Sequence, residues 1–306
     1  MGMQNTQEKR EKYELVEQSL VKKFRRPIWL KFLAAVGDYR LIQPGDRIAV
    51  CISGGKDSTL MAKCMQQLHK YSKFPFDVEY LVMDPGYHRE NRRLIEENCA
   101  LLHIPATFFD TSIYDIVAKT DRSPCYLCAK MRRGWLYRRA QELGCNKIAL
   151  GHHFDDAIET VLMSMLYGSE IRTMLPKLHS TSHPGMEVIR PLYMVREADI
   201  IAWRQYNELN FIQCACRLTE NCVLGDAGGT SKRQEVKQLL RRLRHNNPQV
   251  DASLFASMHN VCLDALPGYR KNGVRHSFLD EYDARPGGSD GKIQPLSADY
   301  GKNSAK

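Results

Sequence analysis

The sequence predicts an α/β protein: a doubly wound, mostly parallel sheet with an N-terminal helix and a C-terminal helical extension. Three observations lead there. Short apolar runs alternate with longer stretches whose apolar residues recur every three or four positions, the pattern of strand–helix–strand crossovers. The chemically distinctive motifs follow the strand runs directly, where open α/β sheets place their ligands. A chain of 306 residues, 43% hydrophobic and 26% charged, can bury a sizeable core, which argues against wholesale disorder, collagen or a coiled coil.

Residues Gln7 to Val36 are expected to be helical, because Tyr13, Val16, Leu20 and Phe24 recur at spacings of three and four. The run Lys22, Lys23, Arg25, Arg26 at its end is either a solvated face or a phosphate contact. Strands are expected at Ile48–Ile52, Val78–Met83, Ala106–Phe109 and Lys147–Leu150, each followed by a helix, roughly Ser58–Tyr71, Glu90–His103, Tyr126–Leu143 and Asp156–Tyr167. A fifth run, Val188–Ile189, leads through Pro191 to a helix over Glu197–Glu208. The pattern then changes. Phe211–Thr230 holds three cysteines and a Gly-rich turn, Lys232–His245 reads as a strongly basic helix, and Val250–Ala265 as another. The expected segments are therefore 1–36, 37–210, 211–284 and a disordered Gly-, Ser- and Pro-rich tail over 285–306, with no internal repeat.

Lys and Arg number 44 against 35 Asp and Glu, a net charge of +9 that permits nucleic acid or any other anionic partner. No run approaches the roughly 20 apolar residues that span a bilayer. The charged N-terminus has no apolar core of a secretory signal, so a cytoplasmic location is expected. In a reducing compartment the 10 cysteines are not a disulfide framework. Cys51, Cys64, Cys99 and Cys145 stand singly among apolar or helical residues and read as small buried hydrophobes, and Cys262 is grouped with them as structural. The paired cysteines need another reason.

Ser53-Gly54-Gly55-Lys56-Asp57-Ser58 lies between the first strand and its helix. Adjacent glycines bring backbone N–H groups against phosphate oxygens, Ser53 and Ser58 add hydroxyls, Lys56 adds charge, and the helix start adds its dipole. The spacing is that of neither the common NTPase P-loop nor a dinucleotide fingerprint. It resembles the ATP-pyrophosphatase (PP-loop) superfamily, with an adenine nucleotide alpha-hydrolase-like fold, whose Ser-Gly-Gly-x-Asp-Ser motif it matches throughout. That resemblance implies ATP cleaved between its α and β phosphates, with Ser53, Gly54, Gly55, Lys56, Asp57 and Ser58 as nucleotide contacts and the strand end Met83–Asp84 near the nucleoside. Gly151-His152-His153-Phe154-Asp155-Asp156 follows the fourth strand. Its carboxylates suit Mg²⁺, a transition metal, or a plain helix cap. Its likeness to the second motif of tRNA-modifying PP-loop enzymes implies nucleotide contacts at Gly151 and Asp156.

Cys125-Tyr126-Leu127-Cys128 heads a helix followed by Arg132 and Arg133, and suits a redox pair, half of a zinc site or half of an Fe–S site. The three motifs in this order resemble the tRNA 2-thiocytidine synthetase (TtcA-like) family over roughly Leu30–Asp280. This implies an ATP- and Mg²⁺-dependent sulfurtransferase with a [4Fe–4S] cluster on three cysteines, thiolating a cytidine of the tRNA anticodon loop, at position 32. It further implies catalytic roles for Cys125, Cys128, Arg132 and Asp156, a third cluster ligand at Cys214, and a homodimer. Sulfur then has two routes, as hydrosulfide on the open iron of a three-cysteine cluster or as a cysteine persulfide, and the sequence does not choose between them. The chain departs from the family where a second Cys-x-x-Cys is usual, having Cys214, Cys216 and Cys222 instead. The sulfur donor is expected to be a cysteine desulfurase or free sulfide. The basic helix and Lys22–Arg26 are expected to meet tRNA phosphates. Rival readings are a lysidine synthetase, which has no use for the cysteines; a zinc- or Fe–S-containing PP-loop enzyme acting on another nucleoside or small metabolite; and a non-catalytic Fe–S or RNA-binding module.

Overall fold

A computed structural model of the chain describes residues 11–119, 124–212, 232–280 and 282, without the side chains of 124 and 125. Two compact units result, one through Phe255 and one from Ala256. The first opens with α1 (Lys12–Val21), a π-helical turn over Arg25–Trp29, and α2 (Leu30–Asp38). The expected uninterrupted helix is therefore broken. Pro27 has no N–H to give, and the bonds widen to five residues, from Phe24 N to the Ser19 carbonyl (2.8 Å) and from Trp29 N to that of Phe24 (3.1 Å). Val16, Leu20, Phe24, Ile28 and Phe32 stay buried across the break, so the apolar period survives although the helix does not.

The sheet comprises β1 (Arg47–Ile52), β2 (Asp77–Asp84), β3 (Ala106–Asp110), β4 (Lys147–Ala149), β5 (Lys177–His179) and β6 (Glu187–Ile189). Its order is β3-β2-β1-β4-β6-β5, parallel except for β5, an antiparallel edge strand absent from the sequence reading. The connecting helices are α3 (Lys56–Tyr71), α4 (Arg89–Leu101), α5 (Ile113–Val117), α6 (Pro124–Glu142), α7 (Phe154–Gly168) and α8 (Glu197–Tyr206). Alternate residues of β1 and its neighbours, Ala49, Cys51, Leu81, Ile148 and Val188, pack with Tyr137 and Ala140 of α6, which fixes the register of that face. Lys147 is buried and held by Asp46 (2.8 Å), Glu187 (3.3 Å) and the Leu41 carbonyl (3.0 Å), tying β4 to the chain entering β1 and to β6.

After β1 the chain adds β2 and β3 on one side, then crosses to lay β4 on the other. The crevice between the carboxyl ends of β1 and β4 is thus a topological switch point, the place where such sheets bind ligands. Helices α9 (Lys232–Asn246) and α10 (Val250–Ser257) follow, the latter ending eight residues before the expected Ala265. In the second unit β7 (Gly268–Lys271) and β8 (Val274–Ser277) form a hairpin that the sequence reading lacked. Asn272 and Gly273 both have positive φ there, 52° and 81°, as an Asn-Gly hairpin turn requires. Cys51, Cys64, Cys99 and Cys145 are buried as expected, and burial pushes the Cys51 thiol up to about 12. Cys262 is exposed, which corrects its assignment to the structural group, because the chain there runs along the surface between α10 and the hairpin.

Candidate active site

The turn from β1 into α3 is made by Gly54 at φ +81°, where a Cβ would lie 2.6 Å from the Ile95 side chain. Ser58 Oγ accepts from the Ser53 amide (3.1 Å), lies 3.1 Å from Ser53 Oγ and donates to the Gly55 carbonyl (3.1 Å), so the loop is braced by its own serines. Gly55 is the N-cap and offers no side chain to the helix start. The amides of Lys56, Asp57 and Ser58 accordingly have no carbonyl one turn back and no cap, an arrangement that suits an anion. Lys56 Nζ is held by Asp57 (3.2 Å) and by Glu197 at the start of α8 (3.0 Å). Burial opposes its charge, but the two carboxylates outweigh burial and raise its pKa.

Gly151 follows β4 and presses on this loop. A Cβ there would sit 2.9 Å from Ser58 N and 3.0 Å from Ser58 Cα, so the second motif is packed against the first at backbone distance. The two aspartates behind it differ in employment. Asp155 is consumed: it accepts from the Glu197 amide (2.7 Å) and from Arg244 of α9 (2.7 Å), and Arg244 in turn grips Asp251 (3.0 and 2.8 Å). Asp156 accepts from the His153 amide (3.0 Å) and has Arg233 of α9 at 3.7 Å. Burial works against its ionisation, yet His153, His152 and Arg233 hold its pKa below the usual carboxylate value. It is the aspartate of the pair with capacity for a cation.

Six buried side-chain atoms around this crevice carry no hydrogen bond among the described residues: Asp57 Oδ1, Arg132 Nε, His152 Nδ1, His153 Nδ1, Glu159 Oε2 and Arg190 Nε. Buried polar atoms are ordinarily paired, and this concentration fits a site built for a polar ligand. Burial together with Arg190 lowers the His152 pKa to about 4, leaving a neutral imidazole at neutral pH. Magnesium-bound ATP fits these residues: uncapped amides and Lys56 for phosphate, Asp156 for the metal, unpaired donors around them.

Cys125 and Cys128 stand three residues apart at the head of α6, positions that share a helix face. Cys128 is half-buried and packs with Met83, Ile113 and Val117, at the carboxyl end of β2. Arg132, one turn further, donates to Tyr87 Oη (3.2 Å), and that hydroxyl reaches the Ser53 carbonyl (3.5 Å). The cysteine helix therefore abuts the phosphate loop through Tyr87. The Cys128 thiol against an apolar wall, with a second cysteine one turn earlier on the same helix, is a donor set suited to an Fe–S cluster. Cys214, Cys216, Cys222 and the Gly-rich turn lie outside the described residues.

The structure thus brings Ser53, Gly54, Gly55, Lys56, Asp57, Ser58, Gly151 and Asp156 to one crevice, with Arg132 linked to it. Asp84 is spent on its own loop, accepting from the amides of Gly86 (2.8 Å) and Tyr87 (2.7 Å) and from Arg92 (2.9 Å). The sequence reading missed Tyr87, Glu159, Arg190 and Glu197. Glu159 had a signal, an acidic residue one turn beyond Asp156 in an otherwise apolar helix; Glu197 looks like any first-turn acid. Basic helix α9 also divides: Arg233, Lys237 and Arg244 turn towards α7 and α8, while Lys232, Arg241 and Arg242 are exposed.

A PP-loop domain model matches residues 26–218. A tRNA-cytidine(32) 2-sulfurtransferase of Geotalea uraniireducens is 37% identical over 231 residues, 74% of this chain and 88% of that protein. The Neisseria meningitidis protein of the same name is 33% identical over 83% of this chain and 76% of its own. Among solved structures, the U34-tRNA thiolase NcsA of Methanococcus maripaludis, determined with its [4Fe–4S] cluster, superimposes with a TM-score of 0.60 at 21% identity, covering 83% of this chain and 82% of that one. That likeness establishes the shared fold. With the model spanning most of the α/β unit and both motif loops meeting at its switch point, the chain belongs to the PP-loop family, among the tRNA-cytidine(32) 2-sulfurtransferases.

Proposed function

We propose that this protein replaces the C2 oxygen of cytidine 32 in the tRNA anticodon loop by sulfur, using ATP. The observation that carries the reading is the junction of two parts: an ATP crevice made by two motif loops, and a Cys-x-x-Cys helix joined to it through Arg132, Tyr87 and Ser53. An oxide is a poor leaving group, and ATP, when bound, supplies an adenylyl group that makes the C2 oxygen depart as AMP. In this reading the α3 amides, Gly54, Gly55, Ser58 and Lys56 hold the phosphates, Asp156 holds Mg²⁺, and Arg132 offsets negative charge on the side facing α6. Cys125, Cys128 and Cys214 would hold the cluster, which, with three protein ligands, leaves one iron open for sulfur chemistry. An anticodon-loop base is single-stranded and can be splayed into a crevice of this kind. A cysteine desulfurase or free sulfide as donor, a homodimeric assembly, a cytoplasmic location and segment boundaries at 36/37 and 210/211 remain part of the proposal; no described helix is long and apolar enough to cross a membrane. Mass spectrometry of tRNA nucleosides from cells lacking the gene tests it: 2-thiocytidine should vanish and return on complementation. Persistence of 2-thiocytidine refutes the cytidine assignment.

A further inference from the structure

We infer that Arg233 and Lys237 of α9 are phosphate-contacting residues of the ATP site, so that the inner face of the basic helix serves the nucleotide and only its outer face is free for RNA. The inference rests on the ATP crevice assigned above and starts from the way α9 is fastened. Its C-terminal half is locked: Arg244 makes hydrogen bonds of 2.7 to 3.0 Å with Asp155 and Asp251, and Arg196 adds a further bond to Asp251. Its N-terminal half is different. Arg233 approaches Asp156 (3.7 Å) and Glu159 (3.3 Å), and Lys237 approaches Glu159 (3.6 Å) and Glu197 (3.7 Å), each as a charge pair with no hydrogen bond.

Charge explains why those two cations belong to the nucleotide. The crevice contains Asp57, Asp156, Glu159 and Glu197, and the one cation of the phosphate loop, Lys56, is shared between Asp57 and Glu197. A triphosphate brings further negative charge into this acidic setting, so binding needs cations from outside the two motif loops. Arg233 and Lys237 stand beside the same carboxylates, are partly exposed, and among the described residues have donors not consumed by short hydrogen bonds. Glu159 supports the point: it is buried, one of its oxygens has no hydrogen bond among the described residues, and burial raises its pKa even with both cations near. A carboxylate so poorly satisfied holds Arg233 and Lys237 by charge over the crevice without immobilising them. A small swing of either long side chain transfers its charge from carboxylate to phosphate while the Arg244 lock keeps the helix in place. Arg241 and Arg242 lie on the exposed face and take no part.

Calorimetric titration of Mg·ATP and of AMP into the full-length chain tests this. Arg233→Gln and Lys237→Gln should each weaken Mg·ATP binding about tenfold, the loss of one charge-assisted contact. AMP affinity should hold, and Arg233→Lys should restore most of the Mg·ATP affinity. Equal loss for AMP and Mg·ATP means that the helix merely supports the fold and overturns the inference. So does wild-type Mg·ATP affinity in both Gln variants, including the case where they lose tRNA affinity instead. If Arg233→Gln does not fold, Lys237→Gln carries the same comparison. A wild-type chain that binds no ATP would instead refute the ATP site itself, a separable outcome.

Discussion

Gly151→Ala is the sharpest single test of the site. Glycine is required at this position by contact, since its φ is not in the left-handed region. The added methyl would lie 2.9 Å from Ser58 N, 3.0 Å from Ser58 Cα and 3.1 Å from the Asp57 carbonyl carbon, all backbone atoms of the first turn of α3. No flexible side chain can yield, so either β4's exit or the start of α3 must move by about 0.5 Å to recover an ordinary carbon contact. Overpacking of this kind costs about 1 to 3 kcal/mol. In a unit of this size that corresponds to a melting temperature lower by roughly 2 to 12 °C. The displaced atoms are the amides proposed to hold phosphate, and misplacement of such groups is expensive, so Mg·ATP affinity should fall at least about tenfold. Thermal unfolding and Mg·ATP titration on the same preparation check both figures. Gly37→Ala is the control: nothing lies within 4 Å of a Cβ there, and inside α2 alanine should be neutral or stabilising by up to about 1 kcal/mol. A Gly151→Ala protein that melts and titrates like the wild type refutes the packing of the second motif on the first.

Three other outcomes are expected. Arg241→Glu with Arg242→Glu reverses charge on the exposed face of α9 and should weaken tRNA binding, flatten its salt dependence by about 1 to 2 units of slope, and leave Mg·ATP affinity alone; filter binding across a salt series reads all three. Cys125→Ala or Cys128→Ala should abolish the visible absorbance of anaerobically reconstituted protein together with thiolation, and thiolation by a cluster-free variant would end the cluster reading. His152 has a folded pKa of about 4 against about 6.5 unfolded, so the unfolded chain binds the extra proton between these values. Stability is then complete above pH 6.5 and falls on acidification towards pH 4, by at most about 3 kcal/mol from this group. Denaturant midpoints for the wild type and His152→Gln should diverge across that window; parallel curves contradict the burial argument.

The strands, their following helices and the two Gly-bearing loops were legible because each is local: a period of two or 3.6, a glycine pair, a carboxylate pair at a helix start. Residues such as Glu197 and Tyr87 were not, since their roles come from elements 141 and 34 residues away from the partners they meet, Lys56 and Ser53. The N-terminal helix shows the limit from the other side. Its apolar spacing runs unbroken through Pro27, and only the hydrogen-bond ladder reveals the π turn.

By itself the sequence determined an α/β sheet, a phosphate-binding turn and a family resemblance, because those depend on neighbours along the chain. Tertiary structure alone decided how the equivalent-looking charges were divided. Asp155 and Asp156 are adjacent and identical in type, yet Arg244 and the Glu197 amide occupy the first, while the second, with the His153 amide and Arg233 at 3.7 Å, is the one proposed to hold Mg²⁺. One helix likewise carries six basic residues whose duties differ by face, since a helix turn sends Arg233, Lys237 and Arg244 towards buried carboxylates and Arg241 and Arg242 into water. Charge is written in sequence; which charge remains uncompensated is settled only when distant carboxylates and cations share a low-dielectric crevice.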